Sequence, residues 1–194
     1  MMLPLLIIYC LFFILAMIVP SVRVWRATGV NPLVLASDDS AEGFVASIFK
    51  LALLALGGYF LLGSLGFTSV IGGFQWPGGS MIARAGWGLI AMSLVWVLIA
   101  QVNMGRSWRI GIDHTRATDL VSSGLFRFSR NPIFLGMVAL LAGLVLVQPD
   151  ALTMAALVAG FVSISVQIRF EERHLLELHG DAYAQYCSKV RRWI

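Results

Sequence analysis

Charged residues are scarce in this sequence. Only 12% of its 194 residues are charged and 59% are hydrophobic, whereas about one quarter of a soluble domain is usually charged. So few charges cannot cover the surface of a water-soluble protein of this length. The two cysteines, Cys10 and Cys187, offer neither a disulfide framework nor a metal-binding spacing. The composition therefore predicts an integral membrane protein.

Motifs typical of soluble enzymes are also missing. The chain has no phosphate-binding loop, no dinucleotide-binding glycine fingerprint and no histidine pair at zinc spacing. His174 and His179 lie five residues apart, on different faces of a helix, so we predict no metal site. The net charge is +4, but the basic residues lie in segments between apolar runs, which argues against a nucleic-acid partner.

Five apolar runs approach the roughly 20 residues that a membrane-spanning helix needs. They cover residues 3–19, 44–62, 81–101, 133–147 and 151–170. Pro20 is expected to end the first, and Gln148-Pro149-Asp150 predicts a tight turn between the last two. We therefore expect an all-α membrane helical bundle with about five transmembrane helices. It forms a single domain over residues 1–194, with three spans in 1–101 and a polar C-terminal half in 102–194.

Small residues and a glycine predict details of this C-terminal half. Ala139 and Gly143 on the fourth span, with a similar stripe on the fifth, predict close packing of these two helices. After residue 170 the chain turns polar but keeps a helical pattern. Gly180 followed by Asp181 predicts the end of one helix and the start of another, which we expect to lie on the membrane surface.

The distribution of lysine and arginine predicts the topology. With the N-terminus outside, the inner segments are residues 20–43, 102–132 and 169–194, and they hold 12 of the 14 basic residues. Lys50 and Arg84 are the two exceptions. Because basic residues favour the cytoplasmic side, we predict a retained first span, an outer N-terminus and a cytoplasmic C-terminus.

Two polar features interrupt the apolar pattern. Arg130 and Asn131 directly precede Pro132, which opens the fourth span. The first turn of a helix near lipid has free N–H groups that need partners, and a ligand could supply them. The second feature is Glu171-Glu172, which follows the fifth apolar run. The alternatives are that the arginine-rich loop only sets the topology and that the two carboxylates only face water.

The last half of the chain also carries a family resemblance. In chain order its pieces are Gly105-Arg106-Ser107-Trp108, Leu120-Val121, Ser122-Ser123-Gly124, Arg130-Asn131-Pro132-Ile133-Phe134, Glu171-Glu172, Gly180, Tyr183, Tyr186, Val190 and Arg192-Trp193. Their order and spacing resemble the isoprenylcysteine carboxyl methyltransferase family, within the wider superfamily that includes phospholipid methyltransferases. The resemblance implies a membrane enzyme whose polar C-terminal region binds S-adenosyl-L-methionine and methylates a lipid-attached acceptor.

The resemblance also implies residue roles. Cofactor contacts are implied for Thr118, Asp119, Leu120, Val121, Phe126, Asn131, Pro132, Ile133, Phe134 and Glu171. Catalytic roles are assigned to Arg130 and Asn131, and substrate-binding roles to Gln167 and Arg169. Arginines at span ends could hold the carboxylate of the acceptor or of the cofactor. No metal is implied.

Five positions depart from the family pattern. Thr118 and Asn131 stand where the family has histidines, and Phe126 and Phe134 stand where it has tyrosines. Asparagine can still donate and accept hydrogen bonds, so cofactor binding is retained. Gln167 stands where eukaryotic relatives have an arginine near the substrate.

The acceptor most directly implied is the carboxylate of a prenylated cysteine at a protein C-terminus. An α-carboxylate has a reference pKa of about 3.3–3.7, so it is ionised at neutral pH and needs no general base. The alternatives are a methyltransferase acting on a phospholipid or another amphiphile, a nicotinamide-dependent sterol-type membrane reductase, and a non-catalytic membrane scaffold. The membrane would be the plasma membrane in a prokaryote and the endoplasmic reticulum in a eukaryote.

Overall fold

The computed structural model describes residues 2–35, 38–67, 73–113 and 118–194. Over these residues the chain forms the helices α1 (Met2–Thr28), α2 (Ala41–Ser64), α3 (Gly79–Met104), α4 (Pro132–Val147), α5 (Ala151–His179) and α6 (Asp181–Lys189). Two short strands, β1 (Leu33–Val34) and β2 (Ile110–Gly111), pair in parallel. The prediction of an all-α membrane bundle is confirmed.

The five predicted spans correspond to five apolar helices of unequal length. α1, α2, α3 and α5 are long and apolar enough to cross a membrane. α4 has 16 residues, which at 1.5 Å per residue gives about 24 Å, less than the hydrocarbon thickness of about 30 Å. The structure therefore has four helices of full spanning length and one shorter apolar helix among the described residues.

The predicted end of the first span at Pro20 is wrong, because α1 continues to Thr28. Proline lacks an N–H group and cannot bond the carbonyl four residues before it. The helix adapts through a π-helical turn at Ile14–Ile18, in which the Val19 N–H donates to the carbonyl of Ile14. The Ala16 carbonyl instead accepts a hydrogen bond from Nε2 of Gln101 on α3, at 2.5 Å. The proline is thus absorbed within the helix.

The predicted turn between α4 and α5 is confirmed, and so are the predicted helix end at Gly180 and the new helix from Asp181. Asp150 begins α5 with a reciprocal capping box: its side chain accepts from the Thr153 N–H, and the Thr153 hydroxyl accepts from the Asp150 N–H. Hydropathy falls after residue 170, yet the helix continues to His179. Glu171 and Glu172 therefore lie within a continuous helix, and consecutive residues there point about 100° apart.

The glycines of α4 pack against α3, which corrects the predicted close pairing of Gly143 with the fifth span. A Cβ atom on Gly143 would lie 2.7 Å from Cγ1 of Ile90, and one on Gly86 would lie 2.9 Å from the Gly143 carbonyl oxygen. Both distances are too short, so each helix requires glycine where the other crosses it. α5 still contacts α4, through Gly160 and Leu141.

The two ends of the bundle differ in character. At one end, a buried cluster that includes Leu5, Leu56, Phe60 and Leu144 closes the core, and the Tyr59 hydroxyl donates to Asp150 at 2.6 Å. The other end, here called the polar end, holds residues 105–131 and the chain after Glu172. Most of the basic residues predicted to be inside lie in these segments; Arg23, Arg26 and Arg169 lie on helices outside them, and Arg116 lies outside the described residues. Which side of a membrane the polar end faces stays a prediction.

Two local features fix the loop at the polar end. β1 pairs with β2, which joins the α1–α2 connection to the chain just after α3. Gly124 has a φ of +60°, and a Cβ atom there would collide with the side chain of Asn103. Oδ1 of Asn103 accepts a hydrogen bond from the Leu125 N–H at 2.9 Å. The turn at Gly124 is therefore held against the end of α3.

Candidate functional site

The start of α4 is held by the C-terminal tail. The Asn131 N–H donates to the hydroxyl oxygen of Ser129 at 3.1 Å. Nδ2 of Asn131 donates to the backbone carbonyl of Arg192, also at 3.1 Å. Pro132 occupies the first helical position, where its missing N–H costs no hydrogen bond. Asn131 is thus tied to the tail while it lines the apolar cavity described below.

Glu172 forms an ion-pair cluster with two arginines. Its Oε2 lies 2.7 Å from Nη2 of Arg192, and its Oε1 lies 3.0 Å from Nη2 of Arg130. The side chains of Arg130 and Glu172 are only 13% and 14% exposed. Within the described part of the chain, Nε of Arg130 is buried and makes no hydrogen bond. The cluster therefore satisfies the carboxylate of Glu172, but it leaves the Nε–H group of Arg130 without a hydrogen-bond partner among the described residues.

Glu171 faces a different environment from Glu172. It accepts a hydrogen bond at 3.2 Å from Nε2 of Gln167, one helical turn earlier. Nearby, Nη2 of Arg109 donates to the hydroxyl of Thr118 at 3.1 Å. Glu171 and Arg109 each line the same two cavities, so a carboxylate and a guanidinium group lie where these cavities adjoin.

The first of these, the polar cavity, has a volume of about 90 Å³ and lies at the polar end. Six of the ten residues predicted to contact the cofactor line it: Thr118, Asp119, Leu120, Val121, Phe126 and Glu171. The lining also includes residues that were not predicted from the sequence as site residues, among them Arg109, His174, Tyr183 and Tyr186. The predicted loop and the glutamate are therefore neighbours in the fold.

Tyr186 fixes one wall of the polar cavity. Burial raises the pKa of its hydroxyl to about 12, so the group stays protonated at neutral pH. The hydroxyl donates to the Phe126 carbonyl at 2.7 Å. Tyr183 is only 3% exposed. α6 thus packs its tyrosine face against the loop, as the spacing of the two residues in the tail permits.

The second, the apolar cavity, is larger, about 200 Å³, and lies inside the bundle. Its lining comes from all five apolar helices, from Tyr9 and Phe13 on α1 to Leu144 on α4 and Ile164 on α5. The four other residues predicted to contact the cofactor line this cavity: Asn131, Pro132, Ile133 and Phe134. Gln167 lines it as well. The structure therefore divides the predicted cofactor residues between two adjoining spaces.

Six residues border both cavities and form what we call the junction: Met104, Arg109, Gly111, Phe126, Arg130 and Glu171. Two cations and one carboxylate are thus concentrated where a polar space meets an apolar one. Among the predicted substrate residues, Gln167 lies beside the junction. The structure does not bring Arg169 there: its side chain is exposed, lines neither cavity and donates to the Ser165 carbonyl of its own helix.

Comparison with known families identifies the chain. A family model described as phospholipid methyltransferase matches residues 81–182, just over half of the 194 residues. The chain belongs to the phospholipid methyltransferase family. The match begins near the start of α3, covers the polar loop and α4, and ends just after Gly180. It includes every predicted site residue.

Membership of this family supports a membrane methyltransferase of the phospholipid or isoprenylcysteine type. It favours that reading over the reductase and scaffold alternatives. The wider superfamily of the resemblance is confirmed, and the description does not single out the isoprenylcysteine enzymes. No curated protein matches the chain significantly. α1 and α2 lie outside the matched range, although both line the apolar cavity.

Proposed function

We propose that this protein transfers a methyl group from S-adenosylmethionine to an amphiphilic acceptor that resides in the bilayer. The observation that carries the proposal is the junction, where Arg109, Arg130 and Glu171 border both cavities. A methyl transfer between a water-soluble donor and a lipid acceptor requires such a meeting point. A pocket of one polarity would not serve both partners.

The polar cavity fits the donor by its chemistry. Glu171 offers a carboxylate to an ammonium or hydroxyl group, and Arg109 offers a guanidinium to a carboxylate. Leu120, Val121 and Phe126 offer an apolar wall for an aromatic base. Bound S-adenosylmethionine would supply a methyl group already activated by its sulfonium. The residues around it would bind and orient, because aligning two reactants can contribute about 7–11 kcal/mol to catalysis.

The apolar cavity fits the chain of the acceptor. Its lining runs along α4 from Pro132 to Leu144, a rise of about 18 Å at 1.5 Å per residue. Phe13 lines the cavity and is 39% exposed, which is compatible with a lateral opening beside α1. An acceptor using such an opening would avoid extraction into water, which costs about 0.8 kcal/mol per methylene. We propose separate entrances for donor and acceptor, converging near Arg130, Asn131 and Gln167.

Two acceptor groups suit the junction. Arg109 and Arg130 favour a carboxylate, such as that of a prenylated cysteine, which needs no general base. Glu171 favours an amine, such as that of a phospholipid, because a carboxylate can hold an ammonium group and accept a proton from it. The name of the matched family points to the phospholipid.

One experiment tests the activity and separates these acceptors. The purified protein in nanodiscs is incubated with methyl-labelled S-adenosylmethionine and either an S-farnesylated cysteine or phosphatidylethanolamine. Alkaline treatment then releases labelled methanol from a methyl ester but leaves an N-methyl group in place. We expect label in one lipid product. Absence of donor binding by calorimetry, together with absence of labelled product from both acceptors, would refute the proposal.

A further inference from the structure

The last residues of the chain run back across the start of α4. The Arg130 N–H donates to the Arg191 carbonyl at 3.0 Å. Asn131 donates through its side chain to the Arg192 carbonyl at 3.1 Å. The two residues that precede α4 thus bind the backbone of the tail, which places the Arg192 side chain beside α5.

The Arg192 side chain reaches Glu172 in a forked arrangement. Its Nε lies 3.1 Å from each carboxylate oxygen, and its Nη2 lies 2.7 Å from Oε2. Oε1 of the same carboxylate lies 3.0 Å from Nη2 of Arg130. Glu172 therefore joins the two guanidinium groups and restricts where each can move.

Other contacts hold the same cluster from its remaining sides. Nη1 of Arg130 donates to the Cys187 carbonyl on α6 at 3.4 Å. The indole ring of Trp193 stacks on Phe161 of α5, with ring centroids 6.1 Å apart and planes 20° apart. The tail is thus fastened on both sides of Arg192.

Arg130 is the member of this cluster that borders both cavities. Its two terminal nitrogens are engaged by Glu172 and Cys187, while Nε, within the described residues, is buried without a partner. Because a long side chain loses conformational freedom when it binds a ligand, fixing it beforehand strengthens binding.

We propose that Arg192 is a positioning residue which, through Glu172, holds Arg130 at the junction for an anionic group of the methyl donor or acceptor. This inference rests on the proposed function for the identity of the ligands. The ion-pair contacts on which it stands do not depend on that function.

The test compares Arg192→Gln and Arg192→Lys with Arg191→Gln as the matched control. Arg191 is the neighbouring arginine, and its side chain is exposed. One readout is the rate at which an arginine-selective dicarbonyl reagent modifies Arg130, resolved by mass spectrometry. The other is the Kd of S-adenosylmethionine by calorimetry, with the KM of the lipid acceptor. Thermal midpoints identify any variant that fails to fold.

We expect Arg192→Gln to speed modification of Arg130 several-fold and to raise the donor Kd or the acceptor KM about tenfold. A tenfold change corresponds to about 1.4 kcal/mol. Arg192→Lys should recover part of the effect, because lysine keeps the charge but lacks the fork. Arg191→Gln should behave as the wild type.

Equal modification rates in the wild type and Arg192→Gln would overturn the positioning role, whatever the protein binds. Faster modification with unchanged Kd and KM would overturn the ligand role of Arg130. If the wild-type protein binds neither donor nor acceptor, the proposed function fails and the ligand role fails with it. The modification rates would still decide whether Arg192 holds Arg130.

Discussion

Neutralising the two adjacent glutamates should have different effects on stability. Glu171→Gln and Glu172→Gln are the same chemical change one residue apart on α5. Glu172 accepts four close contacts from two arginines, whereas Glu171 accepts one hydrogen bond from Gln167 and lines both cavities. Glu171→Gln should therefore weaken donor binding with little loss of stability. Glu172→Gln should lower stability and, because it releases Arg130, should weaken ligand binding as well.

The stability loss expected for Glu172→Gln can be worked from the contacts. Removing one partner of a buried ion pair typically costs about 3–5 kcal/mol. The Arg130 pair is mostly buried, whereas the Arg192 side chain is 39% exposed, and an exposed pair contributes only about 0–1 kcal/mol. The amide oxygen of glutamine still accepts a hydrogen bond, which favours the lower end. We expect a loss of about 3 kcal/mol, or roughly 6–12 °C in the thermal midpoint of a protein of this size.

The binding loss expected for Glu171→Gln follows from one lost charge. A hydrogen bond to a charged group contributes about 1.5–3 kcal/mol, so the Kd of S-adenosylmethionine should rise about tenfold or more. The thermal midpoint should fall less than that of Glu172→Gln, because the glutamine amide oxygen can still accept the hydrogen bond from Gln167 and the ion pairs of Glu172 stay intact.

Both variants are measured in detergent or nanodiscs by tryptophan fluorescence during heating and by calorimetry with S-adenosylmethionine. The donor affinity of Glu172→Gln is read well below its midpoint, so that only folded protein is compared. Our assignment is refuted if Glu171→Gln has the larger fall in midpoint, or if it binds the donor as tightly as the wild type does.

Three further predictions test the acceptor path, the helix packing and the topology. Ala46→Trp should raise the KM for a lipid acceptor at least several-fold and leave the donor Kd unchanged, because Ala46 lines the apolar cavity and not the polar one. The control is Ala55→Trp, at an exposed position. Loss of donor binding together with acceptor turnover would mean that donor and acceptor share one entrance. Gly86→Ala should destabilise the protein by about 1–3 kcal/mol in a denaturation titration, because the added methyl group overpacks the helix crossing. Gly88→Ala, where a Cβ atom meets open space, should be neutral or stabilising by up to about 1 kcal/mol. Equal effects of the two substitutions would contradict the close crossing of α3 and α4. A single cysteine at Ser188 should react with an impermeant reagent only after the cytoplasmic side is exposed, because basic residues favour that side; labelling in intact cells would reverse the topology.

The helices were predictable because burial in lipid imposes long apolar runs, but the end of the first helix was not. Pro20 should end a helix by its local chemistry, and it does not, because Gln101 from another helix bonds the carbonyl that proline leaves open. At the far end of α5 hydropathy falls, but the sequence did predict that the helix continues to Gly180, since the glutamate, arginine and leucine residues that follow are good helix formers. Tertiary contacts and propensity decided what hydropathy could not.

Helix partners were harder to predict than helices. Gly143 signals a close approach of two backbones, but a small residue carries no information about which helix approaches. The nearest neighbour in the sequence is α5, whereas the glycine that matches it is Gly86 on α3. A pattern read along one chain could not distinguish the two.

The site shows the same limit. The loop residues Thr118 to Val121 and Glu171 were predicted from the resemblance and line one cavity in the structure. Arg109 was not predicted, because an arginine in an inner loop has the same sequence appearance whether it sets topology or faces a ligand. Only the fold, which puts Arg109 at the junction with Glu171, separates these roles.

The family match and the cavities together divide the chain by task. The matched range begins at residue 81, yet Tyr9, Phe13, Phe49 and other residues of α1 and α2 line the apolar cavity. Among the described residues, those that line the polar cavity all come after α2. Changes in the first two helices can therefore alter the space for an acceptor chain without touching the residues proposed to hold the donor. We expect α1 and α2 to determine which amphiphile is accepted, while residues 102–194 retain the methyl-transfer chemistry.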